Sequence, residues 1–226
     1  MPTALPTFDS APYRLSGVVY RALLNDPQQV LSLGDAVHQP PYKAPPRAPV
    51  LCVQPRNTLA GDGDAVAAPQ GVVALQTGAT LGIVIGQAAC RVPAATALDV
   101  VAGYLLANAF SLPLASHYRP AVRLIARDGF CPLGAVVPAA ALAQPDDLAL
   151  QLQLDGRSVW QGRTAGRVRS VAQLVADVSD FMTLQPGDVL LLGVAADAPL
   201  AQVGQTVTVT APGFAPLRNT LVGAPA

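Results

Sequence analysis

Hydrophobic positions along this chain fall into short runs and strict alternations rather than long helical stripes. The clearest alternation is LALQLQL at 148–154. It leads into Asp155-Gly156 and out through residues 157–162. Period-two alternation around Asp-Gly predicts a β-hairpin closed by a type I′ turn. Apolar runs stand at 72–75, 81–86 and 189–192; the second predicts a strand covered on both faces and the third a buried strand. The run at 81–86 is β-branched in its second half and closed by glycine. Further strands are predicted at 17–23, 50–53, 104–108, 206–210 and 217–222, with Pro212-Gly213 turning between the last two.

Helical spacing is rarer. Val171, Leu174, Val175, Val178, Phe181 and Met182 recur on one face behind Ser170, with Gln173 in capping-box position. Pro186-Gly187-Asp188 ends that segment. Asn25-Asp26-Pro27 starts a short helix reaching about residue 33, with proline at its first position. Residues 94–102 also read as helical, with Leu98, Val101 and Ala102 on one face. Residues 61–64 form a turn, 111–120 a loop, and 127–132 a turn-rich segment. The proline-rich stretch at 39–49 predicts an extended, polyproline-like segment packed over the surface. Strands outnumber helices and do not alternate with them regularly, so the predicted class is α+β, mostly β. Residues 1–16 are an extension. Residues 17–226 form a single domain with a small N-terminal subregion to about residue 49.

Composition narrows the function. The 226 residues are 51% hydrophobic and only 12% charged. That suits a large core or subunit interface and excludes a disordered chain. Fourteen basic residues balance fourteen acidic ones, so neither nucleic acid nor a strongly charged partner is implied. All fourteen acids are Asp, which excludes every mechanism that needs Glu. Cys52, Cys90 and Cys131 lie far apart with no CxxC among them, as expected of free thiols in a reducing cytosol. The N-terminus lacks a signal-peptide pattern, and no apolar run is long enough to span a membrane. The expected location is cytoplasmic. No GxSxG, phosphate-binding loop or GxGxxG is present. His38 reads as a loop residue. His117 follows Ser116 directly, and adjacent side chains rarely meet as nucleophile and base.

Several motifs in order carry a resemblance. They are PYKAPP at 41–46, PRNTLAGDG at 55–63, GATLGIVIG at 78–86 and AGYLLAN at 102–108, followed by YRP at 118–120 and RDGFCPLG at 127–134. LQPGDVLLLG at 184–193 and GFAPLRNTLV at 213–222 complete the set. With these the chain resembles the fumarylacetoacetate hydrolase family over about residues 17–223. The combination of PYKAPP, PRNT and RDGFCP is narrower. It is similar to the N-terminal half, or separate N-terminal subunit, of bifunctional isomerase/decarboxylases of 4-hydroxyphenylacetate breakdown. The resemblance implies a mixed β-roll with a few flanking helices, assembled as a homodimer or a hetero-oligomer. It also implies a small 2-oxo or enol carboxylate held on Mg²⁺ or a similar cation that stabilises an enolate.

The family's metal ligands, two Glu and one Asp, match Gly78, Thr80 and Ala109 here. Its usual lysine matches Ile125, its catalytic-loop histidine falls in residues 24–29, and its GTP turn reads Val194-Ala195. The expectation is therefore no metal and no cofactor in this chain. Arg56, Asn57, Tyr118, Arg127 and Asp128 remain as candidates to line a substrate pocket, against a purely structural role as ion pair and amide cap. Three functions stay open on these residues. One is an N-terminal-type subunit completing a metal-bearing homologous partner. Another is a stand-alone, metal-independent isomerase or lyase. The third is a non-catalytic binding module for a small dicarboxylate.

Overall fold

The computed structural model describes residues 17–114, 117 and 121–224. In chain order the strands are β1 (Val19–Leu23), β2 (Val50–Gln54), β3 (Leu59–Ala60), β4 (Ala65–Ala68), β5 (Ala74–Gln76), β6 (Ala79–Ile85), β7 (Val101–Asn108), β8 (Cys131–Pro132) and β9 (Val137–Pro138). The C-terminal half adds β10 (Ala149–Leu154), β11 (Arg157–Arg163), β12 (Val189–Leu191), β13 (Leu200–Gln202), β14 (Thr206–Thr210) and β15 (Leu217–Gly223). The α-helices are α1 (Pro27–Leu31), α2 (Val122–Ile125) and α3 (Val171–Phe181).

Two mixed sheets dominate. One runs β2-β1-β12-β6-β7-β9 and is antiparallel except where β1 pairs with β12. The other runs β11-β10-β14-β15-β4 and is antiparallel except at β15–β4. Leu81, Ile83 and Ile85 of β6 meet Leu150 and Leu152 of β10 and Val207 and Val209 of β14 in one core between the sheets. Val171, Leu174, Val175 and Val178 of α3 belong to the same core. All seven residues of β6 are buried, because its other face is covered as well. There Val84 packs with Val19, Leu105, Ala107, Ala109, Cys131, Val189 and Leu191 in a smaller cluster. The predicted mostly-β, α+β class holds.

Local signals account for many boundaries. Asp155 and Gly156 both have positive φ, as a type I′ turn requires. Asp26 caps α1 through its carboxylate and the Gln28 amide, with Pro27 in first position. Ser170 accepts the Gln173 amide at α3. The reciprocal half of the predicted capping box is absent, because the Gln173 side chain donates to Asp177 instead.

Two expectations are corrected. Residues 94–100 form a 3₁₀ turn rather than an α-helix; only Ala97 is buried in it, Leu98 is exposed, and Val101 and Ala102 already belong to β7. Phe181 is exposed at the end of α3, so the buried stripe stops at Val178 and Ser179. Met182 packs only partly against the core.

Candidate functional site

β6 and β7 are joined in antiparallel register, Thr80 opposite Ala107 and Gly82 opposite Leu105. Continuing that register sets Gly78 opposite Ala109, and the Ala109 amide donates to the Gly78 carbonyl at 2.9 Å. Side chains alternate along a strand, so Gly78, Thr80 and Ala109 share one face of the sheet. The three positions assigned to metal ligands by the resemblance thus converge. None supplies an anionic oxygen.

The space is also filled. A Cβ on Gly78 would stand 2.1 Å from the Ala109 carbonyl oxygen and 2.7 Å from its carbon, so no side chain fits without moving backbone. The Gly78 amide donates to Asn108 Oδ1 at 2.7 Å. The buried Thr80 hydroxyl donates to the Gly193 carbonyl at 2.8 Å. Among the described residues no group of three His, Cys or Asp side chains converges in a way that could hold a metal ion. The donors here do not fit a hard divalent cation, which needs several anionic or carbonyl oxygens.

The same face carries a charge. Register pairs run across the sheet as Cys52, Arg21, Leu191, Gly82 and Leu105. Arg21 is 3% exposed, and its Nε and Nη1 have no hydrogen-bond partner among the described residues. Burial pushes its guanidinium below the ordinary value, yet arginine keeps its proton in proteins. The nearest ionisable groups give no compensation. Burial holds the Cys131 thiol up to about 12, against the pull of Arg21. It raises Cys52 as well. His117 is pushed down, first by burial and then by the Arg21 charge, so its imidazole is neutral at physiological pH. Gln54 on β2, two pairs along from the Arg21–Cys52 pair, is buried with neither amide atom bonded to a described group.

Arg21 opens into a cavity of about 180 Å³, lined also by Gln76, Ser111, His117, Val194 and Ala195. Gln76 and Ser111 form a bridge just beyond Gly78 and Ala109, so the cavity abuts the three converging positions. Val194-Ala195, the counterpart of the family's GTP turn, forms its wall. Among the described residues no acidic side chain lines it. His117 also lines a second, more apolar cavity of about 390 Å³, with Leu51, Cys52, Ala121, Val122 and Ile125. Ile125, at the family's lysine position, therefore contributes a hydrocarbon wall.

Of the five pocket candidates, Asn57 and Asp128 meet each other, away from the cavities. Asn57 Nδ2 donates to Asp128 Oδ1 at 2.7 Å, and the Gly129 amide donates to the Asn57 carbonyl. This ties the 3₁₀ turn Arg56–Thr58 to the loop before β8. Arg127 Nε donates to the Arg123 carbonyl at 3.0 Å on the exposed side of α2. Arg56, Asn57, Arg127 and Asp128 line neither cavity. Tyr118, like Ser116, lies outside the described residues. Sequence reasoning missed Arg21. Its only signal was an arginine inside the otherwise apolar strand VYRAL.

Comparison with known proteins agrees with this architecture. Residues 18–222 match the family described as Fumarylacetoacetate (FAA) hydrolase C-terminal. A 4-hydroxyphenylacetate degradation bifunctional isomerase/decarboxylase of Escherichia coli is 41% identical over 208 residues, covering 92% of this chain. The chain spans only 48% of that protein's length. A mitochondrial oxaloacetate tautomerase of Oryza sativa subsp. japonica is 35% identical over 170 residues, covering 72% of this chain and 75% of its own. A crystal structure of 5-carboxymethyl-2-hydroxymuconate delta-isomerase from Mycobacterium smegmatis superposes with a TM-score of 0.77 at 27% identity. That superposition covers 93% of this chain and 80% of the other. The chain belongs to the fumarylacetoacetate hydrolase family.

Proposed function

We propose that this chain is the N-terminal-type unit of an isomerase/decarboxylase of 4-hydroxyphenylacetate catabolism and that it has lost its own metal site. Its partner in the cytoplasm would be a homologous unit that retains the Glu/Glu/Asp set. The pair would act on 5-carboxymethyl-2-hydroxymuconate and 5-oxopent-3-ene-1,2,5-tricarboxylate. Two features support the reading. The chain is about 40% identical to bifunctional enzymes twice its length. Its motifs PYKAPP, PRNT and RDGFCP resemble those of the N-terminal half of such enzymes.

The observation that carries the proposal is the closure of the Gly78 position. The Ala109 carbonyl stands where the first carbon of a ligating side chain would be. A single substitution could mark a relocated site. Three positions without carboxylates, together with Ile125 at the lysine position, point to loss. Metal stabilisation of an enolate is worth several kcal/mol, and each ~1.4 kcal/mol is tenfold in rate. Turnover by the chain alone is therefore expected to be slower by orders of magnitude.

The test is to purify the chain, determine bound divalent metal, and assay isomerase and decarboxylase activity before and after adding the metal-bearing homologue. Absence of metal and turnover alone, with activity appearing on mixing, is the expected result. Stoichiometric metal with fast turnover by the chain alone would overturn it.

A further inference from the structure

We propose that the cavity beside Arg21 is a metal-independent carboxylate site in which the Arg21 guanidinium supplies the positive charge that reads a small mono- or dicarboxylic acid. The proposal rests on the reading that this face of the sheet works without a metal. It adds a ligand class and a recognition residue.

The argument begins with an unbalanced charge. Arg21 is almost fully buried on β1, the second strand of a six-stranded sheet. Burying a guanidinium costs several kcal/mol unless an anion and hydrogen-bond acceptors repay it. Among the described residues neither acceptors for Nε and Nη1 nor an acidic group on the cavity wall is found. The flanking thiols are kept protonated by their own burial, so they cannot act as counter-ions. A sequence that keeps such a charge inside, when only 12% of its residues are charged, has it available for an anion from outside.

The cavity fits that anion. Its lining joins Arg21 to the polar residues Gln29, Ser32, Gln76, Ser111 and His117, and adds a smaller apolar share from Leu114, Val194 and Ala195. Gln76 is fixed through the Ala198 carbonyl. A carboxylate offers two oxygens to the guanidinium, and the apolar wall takes a short carbon skeleton. The low dielectric of a buried site strengthens the pairing over its value in water. The charge stands on the same sheet face as Gly78, Thr80 and Ala109, so a fixed organic cation takes over the electrostatic task that the family gives to a metal.

Oxalate, its neutral analogue oxamide, and sulfate are the probes, and thermal melting and calorimetry of the purified chain in EDTA are the readouts. Oxalate is expected to raise the melting temperature and bind with a measurable Kd, while oxamide and sulfate do not. Arg21→Met is expected to weaken oxalate binding at least tenfold while melting cooperatively, and Arg21→Lys to lose less. Ala196→Trp, at the exposed mouth of the cavity, is expected to block binding with Arg21 intact, which covers the case in which Arg21→Met does not fold. Equal stabilisation by sulfate, or binding that survives in both Arg21→Met and Ala196→Trp, would overturn the proposal. No oxalate binding with either EDTA or excess Mg²⁺ would overturn it alone and leave the metal-loss reading standing. Binding that requires Mg²⁺ would overturn both.

Discussion

Two neighbouring regions of one sheet face treat polar groups in opposite ways. At the β6–β7 seam the Gly78 amide, the Ala109 amide and the Thr80 hydroxyl are each bonded to protein. Only Asn108 Nδ2 is buried there without a partner among the described residues. Toward the β1–β2 edge, Arg21, Gln54 and His117 all present buried nitrogens without described partners. A seam that closes on itself serves packing. A pocket that keeps a charge unsatisfied gives up stability, and such costs persist where a ligand repays them. The contrast separates a seam satisfied by the protein itself from a pocket that holds unsatisfied polar groups.

The seam can be broken by placing a carboxylate in it. Gly78→Glu would drive a side chain into the Ala109 backbone and bury a carboxylate. A loss of more than about 3 kcal/mol is expected in urea unfolding, or no folded protein at all. Restored divalent-metal binding with native stability would show that the seam is still a metal site. Thr80→Val keeps the shape and removes the hydroxyl, leaving the Gly193 carbonyl buried without its donor. The expected loss is about 1–3 kcal/mol, well below that of Gly78→Glu. Equal losses would mean that space around Gly78 does not limit the seam.

Arg21→Met should move stability the other way. Replacing a buried, uncompensated charge by an apolar chain of similar reach is expected to raise the urea midpoint in anion-free buffer, by roughly 1 kcal/mol. The same change should remove the response to carboxylates. A variant that is more stable yet deaf to anions is the mark of a functional residue. A large destabilisation instead would make Arg21 a structural part of β1.

How far the sequence carries this contrast depends on the range of the interaction. The hairpin at 149–163 is legible because its turn and its alternation are local; the cap of α3 is equally local. The short strands β4, β5 and β13 are not, or only partly, since two to four residues carry too little periodicity and their pairing is set by distant partners. Residues 94–100 misled because apolar spacing of three to four suits a 3₁₀ turn as well as an α-helix, and β7 claims Val101 and Ala102. The convergence of Gly78, Thr80 and Ala109 was visible only through family resemblance. The collision at Gly78 needed coordinates. Arg21 was hidden by a sound expectation, that a charged residue in a strand faces water. Asn57 and Asp128 do meet, but by tying a turn to a loop on an exposed face.

The smallest expected effect is the one that decides whether Arg21 is uncompensated. Its nearest internal rival for an anion is the Cys131 thiolate. Cys131 is fully buried, and its thiol is held up to about 12 from an ordinary 9.0 by burial, although Arg21 favours the charged form. A pKa raised on folding contributes stability that is fully present below pH 9 and is lost as pH rises toward about 12. Thiolate absorbance near pH 8 should therefore be the same in the native chain and in Cys131→Ala, and the native chain should lose stability more steeply above pH 9. A Cys131 thiolate already present near pH 7 would neutralise Arg21 from within. Arg21 would then need no outside carboxylate, and the two regions of the sheet face would be alike after all.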